Sequence, residues 1–216
     1  MPTGKALNIL GFLFFLGFLV LIVWSFLVKP KTEERVIPSN AVKISFPLKS
    51  GLYQVTQAGP SVGVHQSPNE KYALDIIKVF PKEESFWKTI LSFKGNGTFG
   101  TPVFAPCYGK VKDLHDGEID HELTLFAKKI PSNSNNVTIA CDGFNIYMAH
   151  FKKDSIKVKL NQIVKTETQI GEIGNSGYTD GPHLHIHAFL DKNDQIVPVP
   201  MVLDGRYLQK GDFVSN

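Results

Sequence analysis

Apolar and polar positions fall into three regimes along the chain. Residues 6–28, ALNILGFLFFLGFLVLIVWSFLV, form an unbroken apolar run of 23 residues whose polar members are Asn8 and Ser25. As a helix this run reaches roughly 34 Å, against a hydrocarbon core of about 30 Å. It is longer than the apolar region of a cleaved secretion signal, and Trp24, Lys29 and Lys31 stand where interfacial anchors belong. The pattern predicts one transmembrane helix over 6–28, with 1–5 as a cytoplasmic tail. Residues 29–41, KPKTEERVIPSNA, are polar with two prolines and read as a tether.

Beyond 41 the pattern changes to short β-branched and aromatic runs separated by turn residues. Strands are predicted at 42–46, 72–79, 101–105, 110–114, 137–140, 144–150, 156–158, 169–173 and 183–189. One helix is predicted at 83–93, as an insertion before the turn GNGTFGTP. The spacing argues for an all-β domain over 42–216, an antiparallel β-sandwich or barrel-like sheet rather than βαβ units.

Composition narrows the function. An apolar fraction of 43% and a charged fraction of 20% exclude a disordered chain, and two cysteines exclude a disulfide-dense scaffold or a four-cysteine zinc module. The formal charge of +3 sits mostly at the amino end, where residues 1–35 hold four basic and two acidic side chains. The other 181 residues carry 19 basic and 18 acidic ones, so no nucleic-acid partner is expected.

Seven histidines carry the chemistry. In Gly181-Pro182-His183-Leu184-His185-Ile186-His187 the side-chain period of a strand sends the three histidines to one face and Leu184 and Ile186 to the other. Successive rings then stand about 6.5–7 Å apart, too far for one metal to take all three at about 2.0–2.1 Å. Such a strand offers one or two ligands and a neighbouring base. A hydrolytic zinc site needs about three protein ligands and an open position. Asp75 suits the carboxylate place, because KYALDII is otherwise apolar and an unpaired carboxylate is costly to bury there. His65 lies ten residues earlier across a loop that can return it to Asp75, and His150 ends an apolar strand where its ring can face a cleft.

These residues carry a resemblance. Gly171 through His185, GEIGNSGYTDGPHLH, resembles the signature of the lysostaphin/LytM-type zinc metallopeptidases, many of which cut peptidoglycan cross-links. GTPVFAP with YGKV at 100–111, Met148-Ala149-His150-Phe151 and 164–171 resemble further segments of that family, although Glu167 stands where a glycine is usual. The resemblance implies a LytM-type domain with Zn2+ as cofactor, His185 and Asp75 as metal ligands, and His183 as the histidine that handles the water proton. It implies for His150 a part in water activation or oxyanion stabilisation, and for His187 a place beside the ligands. The family's other ligand is a histidine four residues before the aspartate, where this chain has Lys71. A subset with its ligand further upstream points to His65, with His115 and His121 as alternatives.

Three decoys fall away. His121-Glu122 begins like H-E-x-x-H, but Leu125 replaces the second histidine. Residues 164–177 echo lipoyl-type carrier hairpins without an acceptor lysine in a tight turn. A catalytic cysteine is not needed, and Cys107 and Cys141 stand where neighbouring strands meet and can bridge outside the cytoplasm. The sequence thus predicts a single-pass membrane protein with an extracytoplasmic zinc endopeptidase domain acting on peptidoglycan peptide. An inactive wall-binding module, or one that regulates a hydrolase through a protein partner, is the alternative.

Overall fold

The chain's longest strand is its organiser. In the computed structural model, which describes residues 35–61, 64–79, 97–121, 133–193 and 195–216, strand β10 (Leu184–Lys192) pairs with three others. One edge runs antiparallel to β7 (Asn145–Ala149). The other edge is shared, with Leu184–Ile186 pairing β3 (Leu74–Val79) and Ala188–Lys192 pairing β11 (Gln195–Val199).

From this centre the sheet extends outward. On one side β2 (Leu52–Ala58) and β13 (Phe213–Ser215) follow β3; on the other, β6 (Asn136–Ala140), β5 (Gly109–His115) and β8 (Ile163–Val164) follow β7. These nine strands form an open sheet ending at β13 and β8. Two small sheets complete it: β4 (Pro102–Phe104) with β9 (Gln169–Glu172), and a parallel pair of β1 (Val42–Ile44) with β12 (Met201–Leu203).

Why these residues make these elements is plain in β10. Leu184, Ile186 and Ala188 join the core with Ile76, Ile146, Met148 and Phe151, while His185 and His187 alternate to the opposite face. Both faces are covered, since His185 is 5% and His187 8% exposed.

Several expectations need correction. The described residues are all-β, as expected, with one 3-10 turn at Pro68–Glu70 and no α-helix, but the sheet does not close into a barrel. Residues 156–158 are not a strand: the Ile156 N–H is taken by the Asp116 carboxylate at 3.2 Å, and a single backbone bond joins Lys157 N to Ile170 O. Strand β10 begins at Leu184, one residue after His183. Strands β2, β8, β11, β12 and β13 were not anticipated. In β2 the polar Gln54, Thr56 and Gln57 and a register shift between Val55 and Gln57 blur the alternation.

The chain divides into two compact units, Met1–Val36 and Ile37–Asn216. The helices expected at 6–28 and 83–93 lie outside the described residues, among which no helix is long and apolar enough to cross a membrane.

Cys107 and Cys141 are joined in a disulfide between the start of β5 and the end of β6, closing a 34-residue separation. A loop of that size is stabilised by roughly 3–4 kcal/mol when closed. The Cys107→Ser/Cys141→Ser variant is expected to lose about that much in urea unfolding, with reductant shifting the wild-type midpoint alike. An unchanged midpoint in reductant refutes this.

Candidate metal centre and active-site cleft

Strand register builds the site. Asp75 on β3 and His185 on β10 are direct cross-strand partners, which sets their Cβ atoms about 4.5–5.5 Å apart on one face. His65 comes from the loop between β2 and β3. That loop is closed at its base by Gly59 N donating to Ala73 O at 2.8 Å, and stiffened by Ser67 N donating to Glu70 Oε2 at 3.3 Å. Gly59 has φ +68, and a Cβ there would lie 2.9 Å from the Lys71 carbonyl, so the base of the loop requires glycine. His65 itself adopts φ +51.

The three side chains converge. Asp75 Oδ1 lies 3.0 Å from His65 Nε2 and 3.0 Å from His185 Nδ1. All three are buried, at 7%, 6% and 5% exposure for His65, Asp75 and His185. Their ligand atoms all lie within 4.8 Å of one another, and among the described residues this is the metal-ligand cluster.

The donor chemistry fits zinc. Tetrahedral bonds of about 2.0–2.2 Å place neighbouring ligand atoms roughly 3.3–3.5 Å apart, close to the separations seen. A backbone carbonyl only accepts, so the 3.0 Å contact of His65 Nδ1 with Gly59 O puts the proton of a neutral ring on Nδ1 and leaves Nε2 its lone pair. His185 presents Nδ1 inward and turns Nε2 to His187 Nδ1 at 3.0 Å. For His185 Nδ1 to bind a cation, Nε2–H must donate to His187. Burial, with His185 and His65 nearby, pushes the His187 imidazolium down to about 3, so this ring stays neutral and can accept. Burial alone would raise the Asp75 carboxyl, but His183 and the hydrogen bonds from His185 and His65 outweigh it, so Asp75 is ionised.

Beside the triad stand His183 and His150, ring centroids 4.5 Å apart. His183 Nε2 is 3.5 Å from Asp75 Oδ1, and its Nδ1 donates to Gly181 O at 2.8 Å. His150, at φ +67, donates Nδ1–H to Ser176 O at 2.7 Å. Burial, followed by the charges of His183 and His185, holds His150 well below the usual imidazole range. It is therefore a neutral ring with Nε2 available. All five groups except His187 line one cleft of about 570 Å³.

Residues 92–198 match the model of Peptidase family M23. The chain carries an M23 peptidase domain. A 96-residue stretch is 38% identical to an uncharacterized metalloprotease of Buchnera aphidicola subsp. Baizongia pistaciae, covering 44% of this chain and 22% of that protein. The chain thus spans about a fifth of that relative's length. A zinc containing peptidase from Vibrio cholerae overlays with TM-score 0.44 at 19% identity, over 73% of this chain and 39% of that one. The catalytic domain of lysostaphin from Staphylococcus simulans overlays with TM-score 0.38 at 18% identity, over 66% of this chain and 82% of that one.

The M23 match begins after His65 and Asp75, so two members of the triad are supplied by the preceding 3-10 turn region and β3. Of the alternative ligands, His115 instead pairs with Glu118 at 2.8 Å, and neither it nor His121 lines the cleft among the described residues. Sequence reasoning did not single out Tyr147. It faces His187 across β7 and β10 and stacks on it at 4.9 Å and 24°. The pairing of β7 with β10 would have found it, but no motif marks it. The carbonyls of Gly59, Gly181 and Ser176, which set three ring tautomers, leave no trace in side-chain identity.

Two outcomes are expected of the M23 domain. Replacing His187 by Phe keeps a ring against Tyr147 and removes the acceptor for His185 Nε2–H, so zinc affinity should fall about 10- to 100-fold. An unchanged affinity in chelator competition sinks that role. Burial lowers the His65 imidazolium, but Asp75 and the Gly59 carbonyl overcome this and raise it above 6.5. The metal-free protein gains stability from that proton at low pH and loses it as pH rises through the raised value. Zinc requires the deprotonated ring, so its affinity should climb over the same interval. A pH-independent affinity between about pH 5.5 and 8 refutes this.

Proposed function

We propose that this protein is a zinc-dependent endopeptidase that hydrolyses peptide bonds in peptidoglycan stems or cross-links. The observation that carries the reading is the convergence of His65 Nε2, Asp75 Oδ1 and His185 Nδ1 beside two further histidines in a cleft of about 570 Å³. His65, Asp75 and His185 hold the ion. When bound, zinc supplies Lewis-acid polarisation of a carbonyl and acidifies water at neutral pH.

The chain's own residues do the rest. His183 and His150 each have Nδ1 committed to a carbonyl, so each offers Nε2 to the cleft. His183 accepts the proton of the attacking water and returns it to the leaving amine. His150, kept neutral by burial, accepts a hydrogen bond from that water and aims it, rather than presenting a cation to the carbonyl oxygen. The apolar run 6–28 anchors the chain in a membrane, 29–41 tethers it, and 42–216 faces the extracytoplasmic side, where a cell-wall substrate lies.

A second reading is an inactive module that binds wall peptide or a partner hydrolase. It is favoured by Lys71 at the family's usual ligand place and by a family match that starts beyond His65 and Asp75.

Zinc content and turnover of cross-linked muropeptides separate the two. Wild type should hold stoichiometric zinc and release cleaved peptides detectable by mass spectrometry. His65→Ala and His185→Ala should lose the metal. His150→Ala and His183→Ala should keep it and lose about 10²- to 10⁴-fold in rate. Wild type with zinc but no cleavage supports the module; wild type without zinc overturns the enzyme.

A further inference from the structure

The loop that delivers His65 has a second cavity on its other flank. It measures about 450 Å³ and is walled by Gly59, Lys71, Tyr72 and Tyr207 over a floor of Leu74, Met201 and Leu208, with Lys210 at its lining. The three floor residues are buried, at 4%, 3% and 6% exposure, so their apolar surface is a rigid base. Lys71 Nζ sits 5.3 Å from the centroid of the Tyr72 ring, and Lys210 Nζ donates to Gln57 Oε1 at 3.0 Å. Both ammonium groups are thus held by uncharged partners. Among the described residues no Asp or Glu lines this cavity.

We infer that this cavity binds the carboxylate end of a peptide whose last side chain is apolar. The volume falls within the range of ligand pockets, about 300–1,000 Å³. Two fixed cations without a counter-charge suit an anion. The floor suits an aliphatic side chain, and the scarcity of hydrogen-bonding side chains beyond the two tyrosines and Gln209 disfavours a polyhydroxylated sugar acid. The site is separate from the zinc cleft: Glu70 lines that cleft and Lys71, the next residue, lines this cavity. The proposal does not depend on the peptidase reading.

The chain's three methionines provide the probe. Met201 is on the cavity floor, and Met148 lies fully buried in β7. In full-length protein with methyl-labelled methionine, titration with N-acetyl-leucine should shift the Met201 methyl saturably and leave Met148 in place. N-acetyl-leucinamide should bind at least about tenfold more weakly. The Lys71→Met/Lys210→Met variant should abolish the difference between acid and amide while retaining the wild-type Met148 signal, which reports an intact fold. Equal binding of acid and amide, glucuronate binding as tightly as N-acetyl-leucine, or no saturable Met201 shift each overturns the proposal. Loss of zinc binding or turnover in His185→Ala, with the Met201 response intact, would concern the metal centre alone.

Discussion

One carboxylate oxygen organises the metal centre. Asp75 Oδ1 is approached at 3.0 Å by His65 and by His185, and at 3.5 Å by His183. A buried carboxylate without partners is strongly unfavourable, so each of these imidazoles answers a demand that Asp75 creates. The demand reaches into the fold. It requires β3 and β10 to be neighbours in one register, because a slip of a single residue would send Asp75 or His185 to the opposite face. It also requires the loop from Gly59 to Ala73 to fold back over β3.

Backbone carbonyls then decide what each ring can do. Gly59 O, Gly181 O and Ser176 O each take the Nδ1 proton of one histidine and direct its Nε2 into the cleft. The carbonyl of Ser176 is itself held firmly. Asp120 accepts from Asn175 N at 2.7 Å and from Lys153 N at 3.1 Å, and Ser176 Oγ donates to Phe151 O at 2.8 Å. Gly174 completes this seam, since any Cβ there would collide with the Lys152 backbone. The seam binds the segment carrying His150 to the segment carrying Ser176.

What could be read in the chain beforehand follows from which interactions are written in side chains. The alternation of His185 and His187 with Leu184 and Ile186 announced both the strand and its chemical face, and Asp75 betrayed itself as a carboxylate in an apolar run. His65 could be reached only through a resemblance, because its place depends on a left-handed residue and a glycine-based loop closure ten residues from Asp75. Tyr147 was invisible because only sheet pairing brings it to His187. The closing strands β11 to β13 were missed for a similar reason. Their segments are short, with exposed Ile196 and Phe213 among buried Val199, Met201 and Val214, and their place is set by partners far away in sequence. The open sheet rather than a barrel is likewise a property of pairing at the two ends, not of any local pattern.

His65 and His150 share one further trait, a left-handed backbone at φ +51 and +67. Such residues cost of order 1–3 kcal/mol relative to relaxed geometry, and glycine would adopt the same conformation freely. Selection for stability alone would therefore drift both positions toward glycine and erase the two rings. Their retention in a costly conformation sets this domain's function against its own folding optimum. A chain of this fold that had given up the chemistry would be recognisable by relaxed residues at these two places.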